Sequence, residues 1–146
     1  MFNIKHNVDK KDIKDLRNLI SLLHSKRNLF LSRKHCLLNL TFGEASKMIG
    51  GADADVVIDD IIIDIKTTIN ADFTRDQFNQ ILGYYLLNSI GGINGINKKV
   101  KINRIGIYSS RFGEMLLVPI KNIIEEDKMK NFLEWFKREI DQIKDI

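Results

Sequence analysis

Two short β-branched blocks, Ala54-Asp55-Val56-Val57-Ile58 and Ile61-Ile62-Ile63-Asp64-Ile65-Lys66, stand only two residues apart, and both are too short for helices. They predict two strands, and the intervening Asp59-Asp60 is long enough only for a hairpin turn. Antiparallel counting from that turn pairs Ile58 with Ile61 and, further out, sets Asp55 opposite Asp64. Directly opposed side chains lie roughly 4.5 to 5.5 Å apart on one sheet face, so two carboxylates there repel unless something positive sits between them. Lys66, two residues beyond Asp64, projects from the same face. This pattern predicts one cleft holding two carboxylates and an ammonium group.

A divalent cation is the economical partner for such a pair. Mg²⁺ favours oxygen ligands, accepts one or two protein carboxylates, and keeps water and substrate phosphate in its remaining positions. A cation at Asp55 and Asp64 would activate water and polarise a phosphate, while Lys66 steadies charge developing on phosphoryl oxygens. The expectation is hydrolysis of a phosphodiester. The plainer alternative makes the two aspartates solvated charges and pairs Lys66 with Asp53, its cross-strand neighbour.

Elsewhere, periodicity marks out the elements. From Asp9 to His24, Ile13, Leu16, Ile20 and Leu23 recur at steps of three and four and predict an amphipathic helix. A second apolar stretch, Leu29 to Leu31 and Leu37 to Leu40, is broken by basic residues and is ambiguous in type. After Gly50-Gly51 and the strand pair, Thr74 with Gln77 three residues later forms a capping box, and Phe73 can staple onto Phe78. That helix is expected to run to about Asn88. A loop read as exposed and basic follows, with Gly91, Gly92, Asn94, Gly95, Asn97, Lys98, Lys99 and Lys101. Two further strands fit Ile102 to Tyr108 and Glu114 to Val118, the second closed by Pro119. A last helix carries Met129, Phe132, Leu133, Phe136, Ile140 and Ile143 on one face. The order predicts a single α/β domain over residues 1–146.

Charge is segregated along this order. Residues 1–40 carry nine Lys or Arg against three acids, residues 41–80 three against eight, and the remainder eleven against eight, for a net +4 overall. An acidic centre between basic flanks suits a protein that holds a cation and meets a phosphate backbone, although charged runs are commonly just solvated surface. The single cysteine, Cys36, excludes an internal disulfide, and no basic-apolar-small leader pattern stands at the N-terminus. No apolar run approaches the roughly 18 residues of a membrane span. These features predict a cytoplasmic protein with no membrane partner.

Gln80 and Tyr84, four apart on the capped helix, share a face and can hydrogen-bond phosphates or bases, unless Tyr84 is simply core. Taken together, Asp55, then Asp64-Ile65-Lys66, then Gln80 to Tyr84 resembles the PD-(D/E)XK nuclease superfamily, in its RecB-like branch with a Gln-xxx-Tyr motif, over roughly residues 42–120. The resemblance implies a restriction-endonuclease-like core, a mixed central β-sheet flanked by α-helices, and Mg²⁺- or Mn²⁺-dependent cleavage of nucleic acid, with DNA the expected polymer. By position it makes Asp55, Asp64 and Lys66 catalytic, with the metal held by Asp55, Asp64 and the main-chain carbonyl of Ile65. Gln80 and Tyr84 become nucleic-acid contacts.

Departures from the pattern leave choices open. Alanine precedes the first acid, so Asp53 competes with Asp55 for the first ligand position. Glu44, the only glutamate before the strands, is a candidate additional ligand, but its place after Gly43 equally suits a helix cap. A homodimer or larger complex is compatible with the sequence. The rival reading from another class is a non-catalytic nucleic-acid-binding or assembly module on the same fold.

Overall fold

A computed structural model describes residues 9–70, 72–96 and 99–144, without the side chains of 140, 141, 143 and 144. Asn97 and Lys98 of the basic loop, and the side chains of Ile140 and Ile143 on the last helix, therefore lie outside the described residues. The order is α1 (Lys10–Ser25), a 3-10 turn (Arg27–Phe30), β1 (Cys36–Thr41), α2 (Glu44–Met48), β2 (Asp53–Ile58), β3 (Ile61–Lys66), α3 (Arg75–Gly91), β4 (Arg104–Ser109), β5 (Glu114–Pro119) and α4 (Glu126–Lys144). Among the described residues, no helix is long and apolar enough to cross a membrane.

The five strands form one open mixed sheet in sequence order, with β1, β2 and β3 successively antiparallel, β3 and β4 parallel, and β4 and β5 antiparallel. The hairpin turn falls where the sequence places it, and Ile58↔Ile61, Val57↔Ile62 and Val56↔Ile63 pair in the expected register. β3 is the middle strand, and Ile61, Ile62 and Ile63 are all buried, as a strand covered on both faces requires. α3 is the crossover that allows β3 and β4 to run parallel. Its Ile81, Tyr84 and Leu87 join Val57, Ile62, Ile105 and Ile107 in the main core. On the opposite face Val56, Ile58, Ile61, Ile63 and Tyr108 form a smaller cluster, with Phe30 packed edge-on against Tyr108 at 4.8 Å.

The N-terminal half differs from the pattern reading. The ambiguous second stretch divides into the 3-10 turn and β1, so the sheet has a fifth strand, and a short α2 intervenes before β2. The strand was hard to read because its alternation is broken: Asn39 adopts φ 48°, and Leu38 is 67% exposed while Leu40 is buried. α3 starts as expected, with Thr74 and Gln77 in a reciprocal capping box and Phe73 against Phe78 at 6.3 Å, but it continues to Gly91. There glycine is obligatory, because an added Cβ would lie 2.2 Å from the Phe42 carbonyl oxygen where α3 abuts the start of α2. The following loop is exposed at Asn94, Gly95, Lys99 and Lys101, as its composition suggests, but Gly92 is buried. Ile93 and Ile102 are buried, and Asn94 N–H donates to the Thr41 carbonyl.

Candidate active site

The two strands of the β2–β3 hairpin part company at the position where the carboxylates would have faced each other. Regular pairing ends at Val56↔Ile63, so Asp55 and Asp64 are not ladder partners. Instead the Asp55 carboxylate reaches across, and its Oδ2 accepts the Ile65 N–H at 2.7 Å. The physical reason is that an opposed pair of anions is costly, whereas a carboxylate that replaces a ladder carbonyl satisfies the freed N–H and brings Asp55 beside the Asp64-Ile65-Lys66 segment.

Asp64 is buried, its side chain 5% exposed, on the α3 side of the sheet. Its Oδ2 lies 2.7 Å from Lys66 Nζ, yet receives no hydrogen bond of acceptable geometry. That oxygen is thus held by an ammonium group and not by a main-chain donor. Lys66 in turn donates from Nζ to Gln80 Oε1 at 2.8 Å, and Gln80 Nε2 donates to the Tyr84 hydroxyl at 2.8 Å. A continuous chain therefore links Asp64, Lys66, Gln80 and Tyr84. Lys66 does not pair with Asp53, so the plainer expectation for this lysine is not met.

Tyr84 is 8% exposed and stacks on Phe42 at 5.8 Å, so it belongs to the core as well as to this chain. Burial, followed by the nearby charges of Asp64, Asp55 and Asp53, raises its pKa, against the lowering effect of the Gln80 hydrogen bond. The phenol stays protonated. Gln80 is exposed and Tyr84 is not, which divides the expected pair of nucleic-acid contacts: Gln80 presents itself to solvent, and Tyr84 supports it from below.

Asp53 is exposed and lines a separate groove with Gly43, Glu44, Lys47 and Gly50. Asp55 bonds into the Asp64-Ile65-Lys66 strand and Asp53 has no such bond among the described residues. Glu44 is not drawn to the aspartate pair: its side chain is 82% exposed and 2.7 Å from Lys47. Among the described residues no three His, Cys, Asp or Glu side chains are grouped to hold a metal ion. Two carboxylates and a main-chain carbonyl remain an adequate protein share for Mg²⁺, which keeps several waters.

Beside Lys66 opens a groove of about 290 Å³ lined also by Thr68, Asp72, Phe73, Gln77, Ser109 and Glu114. Pattern reading missed these residues as neighbours. Lys66 and Ser109 are partners only through the parallel β3–β4 ladder, and no local spacing announces a pairing made across a helical crossover. All the site residues themselves come from one contiguous stretch, Asp55 to Tyr84.

No protein-family model, curated protein or solved structure matches the chain.

Proposed function

We propose that the protein is a metal-dependent nuclease of the PD-(D/E)XK type, with a restriction-endonuclease-like core, hydrolysing phosphodiester bonds of nucleic acid, DNA in the first instance. The observation that carries this reading is the buried Asp64 carboxylate, 2.7 Å from Lys66 Nζ at the C-terminal end of the central strand, with the Asp55 carboxylate bonded to the N–H of the intervening Ile65. Carboxyl ends of strands are the usual location of sites in open α/β sheets. Asp55, Asp64 and the Ile65 carbonyl are the groups that would hold Mg²⁺ or Mn²⁺, which when bound supplies a lowered water pKa and Lewis acidity toward a phosphoryl oxygen.

The protein's own groups have distinct tasks in this reading. Lys66, held by Gln80, keeps its ammonium at the mouth of the site, where charge grows on the phosphate oxygens as the P–O bond breaks. Gln80 fixes that ammonium in place, and Tyr84 fixes Gln80. The protein gains specificity for the transition state because these donors are set before substrate arrives.

Purified protein incubated with linear and circular, single- and double-stranded DNA, and with RNA, in the presence and absence of Mg²⁺ or Mn²⁺, tests the reading. Metal-dependent cleavage that disappears in Asp64→Ala supports it. Metal-independent binding with no cleavage of any polymer replaces it with a binding module.

A further inference from the structure

α1 has the amphipathic pattern of a helix that packs on a core, yet it contributes no buried residue to the fold. Ile13, Leu16, Ile20 and Leu23 remain 40%, 58%, 57% and 41% exposed. This is not a helix that has failed to dock, because a different face holds it to the body. Arg111 grips Asp15 through two hydrogen bonds of 2.8 and 2.7 Å, and Leu22 lies against Gly113, where an added Cβ would come within 2.9 Å of its side chain. At 3.6 residues per turn the line through Asp15, Leu19 and Leu22 is roughly 110° around the helix from the exposed stripe. The stripe is thus a second apolar surface, pointing away from the anchoring contacts.

Its spacing is that of a coiled-coil seam. Ile13 and Ile20 occupy a positions, Leu16 and Leu23 d positions, and in a parallel pairing β-branched a with Leu at d favours two strands. The flanking charges fit the same arrangement. Asp12 falls at g and Arg17 at the following e, the two positions that meet across a parallel dimer, and neither is in an ion pair within its own chain among the described residues. A symmetric pair of chains would therefore make two Asp12–Arg17 contacts flanking the seam.

We propose that α1 is a homodimerisation helix, pairing in parallel with α1 of a second copy through Ile13, Leu16, Ile20 and Leu23. The helix is already ordered by its Asp9 cap and the Asp15–Arg111 contact, so association does not bear the cost of forming it. The seam is only two heptads long, which places the interface at the small, weak end of the range. The inference does not depend on the nuclease reading, since its test contains no nucleic acid.

Sedimentation of the full chain from sub-micromolar to several hundred micromolar is expected to show a monomer–dimer equilibrium. The double variant Leu16→Glu with Ile20→Lys should be monomeric throughout while keeping its melting temperature, because both positions are outside the core. Asp12→Lys should weaken the dimer on the order of tenfold by setting like charges together, and adding Arg17→Asp should restore it. Orientation is read by Leu16→Cys in a Cys36→Ser background, where a parallel seam brings the two d-position thiols together and air oxidation yields a crosslinked dimer. A monomer at every concentration, or a dimer indifferent to the Leu16→Glu and Ile20→Lys change, overturns the interface. A dimer without the crosslink overturns the parallel arrangement.

Discussion

The β2–β3 hairpin carries one pair of aspartates at its turn, Asp59 and Asp60, and another toward its open end, Asp55 and Asp64, and the fold treats them differently. At the turn, Asp59 accepts three main-chain N–H groups, from Arg33, Lys34 and His35, and Asp60 accepts Arg104 at 2.6 Å and the Asn103 amide. Those bonds hold the Asp59 carboxyl down to about 2, and the Arg104 guanidinium lowers that of Asp60. At the open end, Asp55 has one N–H donor, and one oxygen of buried Asp64 has only an ammonium nearby. Carboxylates saturated by their own chain are structural parts. The pair at the open end is held by one main-chain N–H and one ammonium group, and under the proposed function that lighter anchoring is what distinguishes the two pairs.

The sharpest way to break this contrast is to exchange the consequences of mutation. Asp64→Ala is expected to lower metal-dependent cleavage on the order of 10³-fold and to abolish any Mg²⁺-induced rise in melting temperature, without unfolding the protein. Asp59→Ala should do the reverse, lowering the melting temperature while activity per folded molecule is kept. If turnover instead followed Asp59, or if Asp64 behaved only as a stability residue, the two ends would not be functionally distinct.

A smaller effect is expected at Lys66. Lys66→Ala should reduce turnover about 100-fold while nucleic-acid affinity stays within a few fold, as for a group that acts mainly in the transition state. Equal loss of both, measured by single-turnover kinetics and equilibrium binding, would make it a phosphate clamp. Smaller again, Gln80→Ala should cost about 10-fold in turnover by releasing the Lys66 ammonium from its position, and Tyr84→Phe less, with Mg²⁺-induced stabilisation intact in both. Tyr84→Phe leaves the Phe42 stack and removes only the hydroxyl, so loss of activity that tracks melting temperature would return Tyr84 to a purely structural role.

Acid titration gives the finest distinction. The folded Asp59 carboxyl titrates below its ordinary value of 3.8, so its contribution to stability is complete above that value and is lost as pH falls toward about 2. Asp60 and Asp15, both lowered by arginine, act in the same direction. Wild-type protein should therefore lose stability steeply between about pH 4 and 2, and Asp59→Ala should show a shallower loss over that window. Equal slopes in the two proteins, measured by chemical denaturation at each pH, would remove Asp59 from the structural side of the comparison.

Much of this could be read from residue order alone, and what could not shares one physical cause. The hairpin, its register to Val56, the capping box at Thr74 and the shared face of Gln80 and Tyr84 all depend on neighbours within a few residues. Asp55 failed as a ladder partner because its side chain won the bond that a backbone carbonyl was expected to make. β1 was ambiguous because Asn39 reverses the inside-out alternation in mid-strand. The Asp59 clamp, the Arg104 pairing and the presence of Ser109 beside Lys66 join segments more than twenty residues apart, where spacing carries no signal. The apolar stripe of α1 was plain as a pattern, but its exposure was not, since a helix looks equally amphipathic whether its partner is its own sheet or another chain.

The contiguity of the site residues also has a meaning for how the chain becomes ordered. Its three defining hydrogen bonds close spans of 4, 10 and 14 residues, whereas those at the turn end close spans of 24 to 44. Loop-closure entropy rises by only about 0.6 kcal/mol per doubling, but short spans are also searched fastest. The hairpin and the first turns of α3 thus form a low-contact-order part of the molecule, and the groups of the candidate site lie within it. The long-range topology is secured at the opposite end, by carboxylates whose work is finished once the sheet has closed.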